Sequence, residues 1–408
     1  MSIFINSAPD CRFRIDSQGT VTPLNTESAR RYHREGLSTM TELADIAKKL
    51  GMRVSAAPKP KPAQKTEPVK SKAMRPDDIA EMIGQDQVRV QMMLEAQAAM
   101  TEREEWVSSE GKSGSEHAMP PHTLLSGPRG TGKTTLAKIT ASLIGGQLIE
   151  TTASAVTDVK VLGRKLASLD HDDVLFIDEI HGLSQSAQEL LYTAMEDGVI
   201  HIKAGEGADV KTVVRQLNRF VLVGATTIQG KLEGPMIDRF GLVGKLVYYS
   251  DAELLQIITK AAEKRRTKID EDAATALAIR SKGTPRIALS LLSKCRSYVI
   301  GMNRSSDIPV TRADVDSALE LHGVDKLGLE SDERAVLRAL CAEANAGRPM
   351  GIKNIAAVTG MEEVSVEQIE PLLLRLELMV RTSRGRKATK EGYEHMGMKP
   401  PVDAGVDI

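Results

Sequence analysis

The sequence predicts an α/β protein built on a doubly wound parallel sheet, with helical units after it and a small α+β unit before it. Three observations carry this expectation. Between about residues 75 and 250, the apolar runs "HTLLSG", "GQLIETT", "DVLFID" and "RFVLVGATT" are bounded by turn residues and separated by stretches of helical spacing. Short runs apolar on both faces suit strands buried in a parallel sheet, and their alternation with helices is the α/β pattern. The first run passes directly into "SGPRGTGKTTLAKIT", where glycines 127, 130 and 132 precede a helix. Beyond residue 250 the strand-like runs give way to amphipathic helical segments, "DAELLQIITKAAEKRR", "DEDAATALAIRSKG" and "PRIALSLLSKCRSYVIG".

Taken in order, residues 1–50 form the small leading unit. "SIFIN", "RFRID" and "TVTPL" are short alternating runs with "SQG" as turn chemistry, and a helical pattern opens at Asn25 or Thr26 and closes near Gly51. Residues 51–74 lose all apolar periodicity, and proline and lysine make them a semi-rigid solvated tether. Lys59, Lys61, Lys65, Lys70 and Lys72 face only Glu67 there, which suits either a soluble linker or an affinity for phosphate. Residues 75–250 hold the sheet, with 107–117 ("VSSEGKSGSEH") reading as a polar surface loop. Residues 251–325 are helical, and residues 326–398 form a second small helical unit ending in the hairpin-like "VRTSRGRKATKEGY", ahead of a tail at 399–408. No internal repeat is visible.

Composition narrows the class. Apolar residues at 41% and charged residues at 27% describe a globular chain, and 408 residues suit several domains. Aromatics at 3% argue against base-stacking platforms, and a net charge of −1 leaves any nucleic-acid site to a local patch. Cys11, Cys295 and Cys341 lie far apart without a CxxC, which argues against a disulfide framework and fits a reducing, cytoplasmic setting. No run approaches the roughly 20 apolar residues of a membrane span.

Gly127-Pro128-Arg129-Gly130-Thr131-Gly132-Lys133-Thr134 fits the phosphate-loop pattern G-x-x-x-x-G-K-[ST] in full, between a strand and a helix. The glycines let consecutive amides turn inward as an anion nest, and the following helix adds its positive end. Lys133 can carry a compact charge to the β- and γ-phosphates, and the Thr134 hydroxyl can ligate Mg²⁺; Thr131 and Thr135 complete the nucleotide-binding set. Forty-five residues beyond Lys133, "VLFIDE" puts Asp178 and Glu179 at the carboxyl end of a strand, where ligands of such sheets gather. Asp178 is placed for the Mg²⁺ shell and Glu179 for the attacking water. His181 reads as a capping or solvent-facing residue rather than a catalytic one. The strand ending "VGATT" (223–227) can offer a hydroxyl to the water or the γ-phosphate.

"GPRGTGKTTLA", "VLFIDEIHGLSQSAQELLYTAMED", "VGATT", "DRFG" and "GTPRIA", in this order, resemble the AAA+ ATPases, and within them the RuvB-type Holliday-junction branch-migration motors. The resemblance runs from Arg75 to Met398, roughly four-fifths of the chain. It implies a P-loop AAA+ doubly wound sheet, a helical lid and a C-terminal winged helix. It implies that Ile83, with Gly84 and Gln85, encloses adenine, and that Thr227 is the sensor on the "VGATT" strand. It further implies that Arg239 is a finger reaching a neighbouring subunit's site and that Arg286 is a lid sensor. "IKNIAAVTG" and "SVEQIEPLLLRLELM" would be the winged helix's paired helices. The wing would carry Arg381, Arg384, Arg386 and Lys387, four cations for DNA phosphates. Residues 198–217 correspond to the family's hairpin that docks on the junction-binding RuvA protein. Apolar anchors there are Ile202, Val213 and Val214, among His201, Lys203, Asp209 and Lys211. The leading 74 residues and the stretch around 107–117 depart from the family pattern.

Two functions follow. The first is an ATP- and Mg²⁺-dependent DNA motor, a homo-oligomer expected as a hexameric ring, that drives branch migration of four-way junctions. The second is a nucleotide-switched loader of the clamp-loader or helicase-loader kind, without unwinding.

Overall fold

The computed structural model describes residues 3–6, 12–15, 21–23, 81–110, 118–204, 211–302, 308–342, 345 and 347–401. The chain divides into two compact units, Met1–Ser71 and Lys72–Ile408. In the first, β1 (Ile3–Asn6), β2 (Arg12–Ile15) and β3 (Val21–Pro23) pair antiparallel in that order, as the alternating runs require. The helix expected from Asn25 and the tether at 51–74 lie outside the described residues.

The second unit opens with α1 (Asp86–Glu110) and then alternates. Its elements are β4 (Thr123–Ser126), α2 (Lys133–Ile144), β5 (Leu148–Thr152), α3 (Val159–Leu166), β6 (Val174–Asp178) and α4 (Gln185–Glu196). A hairpin of β7 (Val199–Ala204) and β8 (Lys211–Gln216) precedes β9 (Val221–Thr226), the short α5 (Gly234–Ile237) and β10 (Leu242–Lys245). The central sheet is parallel throughout, in the order β10-β4-β9-β6-β5. Side chains alternate across it, as the two-residue period of a strand demands. Leu175 and Ile177 of β6 join one core with Leu162, Leu166 and Leu191, while Val174 and Phe176 join the other with Leu136 and Ile139.

Two sequence expectations change here. The stretch 107–117 is not loop throughout: α1 continues to Glu110, because nothing before Gly111 breaks the helix. The edge strand β10 was absent from the expected strands. Gly241 and Gly244 interrupt its apolar run, and Gly244 is needed because a β-carbon there would stand 2.6 Å from Val88 and 3.1 Å from Leu125.

The lid is built from α6 (Asp251–Lys264), α7 (Glu271–Ile279), α8 (Pro285–Gly301) and α9 (Arg312–Leu321) around a core of small and branched residues. A capping box at Ser250 and Glu253 starts α6. The last domain packs α10 (Ser331–Cys341), α11 (Ile352–Thr359) and α12 (Glu363–Arg375) against the antiparallel pair β11 (Met379–Thr382) and β12 (Gly385–Ala388), followed by α13 (Lys390–His395). Among the described residues no helix is long and apolar enough to cross a membrane.

Candidate functional site

The carboxyl ends of β4, β6 and β9 converge, because β9 lies between the other two in the sheet. The loop after β4 is tied to that edge by the Gly127 amide, which donates to the Thr226 carbonyl at 3.1 Å. Gly127 sits at φ +142°, and a β-carbon there would meet the Leu246 carbonyl oxygen at 2.4 Å. Gly127→Ala is therefore expected to cost about 1–3 kcal/mol in strain and to weaken nucleotide binding, both measurable by thermal melts with and without nucleotide.

A cleft of about 1090 Å³ opens above this edge. Its lining brings together Ile83, Gly130, Gly132, Lys133, Thr134, Thr135, Asp178, Glu179, Thr227 and, from the lid, Arg286. Thr131 is buried beneath the loop, where its hydroxyl donates to the Pro128 carbonyl at 2.8 Å. Lys133 is buried and its ammonium donates to the Gly127 and Pro128 carbonyls at 2.7 and 2.8 Å. Burial holds its pKa below the ordinary lysine value, against the raising influence of Asp178 and Glu179.

Glu179 leaves β6 in a left-handed conformation, φ +51°, which turns its carboxylate back towards β9. The Thr227 hydroxyl donates to that carboxylate at 3.0 Å and the Thr227 amide at 3.3 Å. Arg129 reaches the same group at 3.3 Å from an exposed position. Burial pushes the Glu179 carboxyl up, but the Thr227 hydrogen bonds and the charges of His181 and Arg129 outweigh it and leave it below the usual range. Thr227 lines the cleft, whereas the buried Thr226 turns its hydroxyl to His181 Nδ1, 2.8 Å away.

His181 thus departs from the expected capping or solvent-facing role. It is mostly covered and lies 3.4 Å from Glu179 Oε2, bridging the ends of two strands. Gly84 and Gln85 also depart from the expected adenine enclosure. The Gln85 side chain exchanges two hydrogen bonds with the Val247 backbone, at 2.8 and 3.1 Å, and Gly84 packs under Tyr249. Neither lines the cleft; the apolar end is closed instead by Met82, Ile83, Tyr249, Ile257, Ala261 and Leu289. Apart from Ile83, these residues belong to no motif: they are ordinary apolar positions that only lid packing brings together.

Arg239 is not in the cleft of its own chain. It follows α5 and packs its side chain against α4, 3.1 Å from Glu196, with its guanidinium carbon 4.3 Å from the centre of the Tyr192 ring.

The wing cations divide. Arg384 is exposed at the turn between β11 and β12. Arg381 and Arg386 both donate to the buried Glu370 of α12, at 2.6 Å and at 2.9–3.1 Å. Arg381 remains largely exposed, while Arg386 is mostly covered and doubly bonded, so the four cations are not equally available. Burial raises the Glu370 carboxyl, but the two arginines outweigh it and hold it below the usual range. A depressed folded-state value means that this contribution to stability is present above the unfolded carboxyl's pKa and is lost as pH falls through the folded one. Glu370→Gln should lower the melting midpoint at neutral pH, and the gap to the wild type should close in acid. An equal gap at both pH values would contradict the assignment.

Three family descriptions match consecutive stretches: the Holliday junction DNA helicase RuvB P-loop domain at residues 74–246, the RuvB AAA lid at 249–325 and the RuvB C-terminal winged helix at 326–397. The chain is 40% identical over 333 residues to the Holliday junction branch migration complex subunit RuvB of Nocardia farcinica, covering 81% of this chain and 88% of the relative. It is 39% identical over 354 residues to the same subunit of Cutibacterium acnes, covering 86% and 98%. The solved Thermotoga maritima RuvB Holliday junction branch migration motor superposes with a TM-score of 0.65 at 33% identity, over 80% of this chain and 99% of that one. With a P-loop cleft, a lid and a winged helix in one order and at this level of identity, the chain belongs to the RuvB family of Holliday junction branch-migration motors.

Proposed function

We infer that this chain hydrolyses ATP in the cleft and uses the reaction to move the duplex arms of a four-way DNA junction. One observation carries the reading: the phosphate loop, the Asp178–Glu179 strand end and the lid's Arg286 face one cleft. Loop amides and Lys133 grip the triphosphate, with phosphate oxygens displacing the two carbonyls that Lys133 now bonds. Thr227 fixes the Glu179 carboxylate so that it orients a water towards the γ-phosphorus. Arg286 adds a cation from the lid, and the apolar end takes the adenine.

The residues fit a magnesium ion only together with substrate. Thr134 and Asp178 line the cleft and would supply two oxygens, and no cluster of three or more His, Cys, Asp or Glu stands ready for a metal among the described residues. That suits Mg²⁺, which keeps waters and is completed by phosphates. When bound, it neutralises charge on the β- and γ-phosphate oxygens.

The position of Arg239 outside its own cleft supports a finger that acts on the next subunit, and hence a ring, expected to be hexameric. Arg384, Lys387 and, once freed from Glu370, Arg381 and Arg386 supply phosphate contacts that do not read sequence. Exposed Glu362, Glu363 and Glu367 on and before α12 argue that the wing, not that helix, meets the duplex. Val213 and Val214 are half exposed on β8, which supports the 198–217 hairpin as the docking site for a RuvA-like partner; Asp209 lies outside the described residues. A cytoplasmic setting follows from these partners.

A synthetic four-way junction tests the reading. ATP with Mg²⁺ should convert it to duplex arms, and junction DNA should raise hydrolysis. Hydrolysis indifferent to DNA, with junctions left intact, would make the chain a nucleotide-switched loader instead.

A further inference from the structure

Residues 280–284 join α7 to α8, and together with Arg286 in the first turn of α8 they touch the nucleotide cleft at one end and the winged helix at the other. At the cleft end, Arg286 lines the cavity, and its Cβ lies 2.9 Å from where a β-carbon on Gly130 would stand. The Gly283 carbonyl accepts from the Tyr249 amide at 2.9 Å, and the Tyr249 hydroxyl donates to the Thr131 carbonyl at 3.1 Å. The segment therefore rests directly on the phosphate loop.

At the other end, the buried Lys282 donates to both carboxylate oxygens of Glu333 on α10, at 2.7 and 2.6 Å. Its carbonyl accepts from Arg375, the last residue of α12, at 2.7 Å. The Arg375 guanidinium carbon in turn stands 4.2 Å from the centre of the Tyr248 ring. Lys282 holds φ +50°, a conformation that non-glycine residues keep only where the surroundings over-determine it. The α12 helix that ends in Arg375 also carries Glu370, the carboxylate that holds Arg381 and Arg386 of the wing. The phosphate loop and the wing thus stand at the two ends of one unbroken series of contacts.

We propose that Lys282, Glu333, Arg375 and Tyr248 form a clamp that couples the ATP cleft to the DNA-binding wing, moving the Arg286 segment and the winged helix as one body. The proposal rests on the reading that Arg286 meets the nucleotide and the wing meets DNA. Its physical basis is the cost of shear. If Arg286 moved towards the phosphates without the winged helix, Lys282 and Glu333 would separate and leave a buried charge without its partner. The winged helix follows because the alternative is worse. These four are positioning residues, since none of them lines the cleft.

Coupling between two binding sites is reciprocal, so one ratio measures it. The junction Kd of the full-length protein is measured with and without a non-hydrolysable ATP analogue, for the wild type and for Tyr248→Leu, Arg375→Gln and Glu333→Gln. In the wild type the two values should differ by about 5- to 150-fold, the usual range for coupled sites. In each variant the ratio should fall to within about twofold of unity. The nucleotide-free Kd and the DNA-free ATPase rate should stay within about twofold of wild type, as for sites that do not share partners. Tyr248→Leu changes a half-exposed ring and leaves no buried charge behind, so it tests the clamp even where Glu333→Gln folds poorly.

Arg384→Ala should weaken junction binding in both nucleotide states and keep the ratio, which tests the wing reading separately. Folded clamp variants that keep the wild-type ratio would overturn the clamp alone. So would variants that lose basal ATPase or nucleotide-free DNA affinity in step with the ratio, since the contacts would then merely hold the fold. A wild-type ratio of one would overturn the clamp together with the reading beneath it.

Discussion

Arg239→Ala protein should hydrolyse ATP about 10³- to 10⁵-fold more slowly than wild type, the factor associated with an arginine finger, while still binding nucleotide. The loss should be this large because charge builds on the phosphoryl oxygens in the transition state, and removing a cation aimed at them affects that state more than the bound substrate. Nucleotide affinity should survive because Arg239 lies against Tyr192 and Glu196, outside the lining of its own cleft. The deciding measurement is complementation. Arg239→Ala subunits keep Glu179, and Glu179→Gln subunits keep the finger. Mixed rings should recover activity at junctions where a finger-bearing subunit faces an intact cleft. Activity that stays at the sum of the two separate variants at every mixing ratio would exclude a finger acting between subunits.

Glu179→Gln carries the second large effect. Hydrolysis should fall about 10²- to 10⁴-fold, the range for losing a positioned acid–base group, and ATP should bind at least as tightly as in wild type. The amide is isosteric and can still accept a hydrogen bond from the Thr227 hydroxyl, so the cleft should keep its shape. It lacks the negative charge that polarises the water. A single-turnover assay checks this, because it separates binding from cleavage. Unchanged cleavage in Glu179→Gln would move the water-orienting role to another group, and His181, 3.4 Å from the Glu179 carboxylate, would be the imidazole to test.

Much of the cleft was legible in the sequence because its phosphate-binding half is local. A strand, a glycine-rich turn and a helix start lie within Thr123–Ile144, and Asp178 and Glu179 close one short apolar run. The residues that were missed or misjudged have non-local partners. Gln85 bonds Val247, 162 positions away, and His181 bonds Thr226, 45 positions away. Neither partnership leaves a trace in spacing. The β10 strand escaped for a different reason. Gly244 allows close approach to Val88 and Leu125, and Gly241, just before the strand, close approach to Pro121; in sequence both read as turn residues.

By itself, the sequence determined the parallel sheet, the phosphate loop and the acidic strand end. Each of these rests on periodicity or on backbone chemistry within a few consecutive residues. Only the tertiary structure decided which charges are free to act. Arg384 and Arg386 stand two residues apart in the same basic wing, yet one is exposed and the other is mostly covered against Glu370, 16 residues earlier. The packing of α12 against the wing decides this, since a charge's availability depends on what burial places beside it.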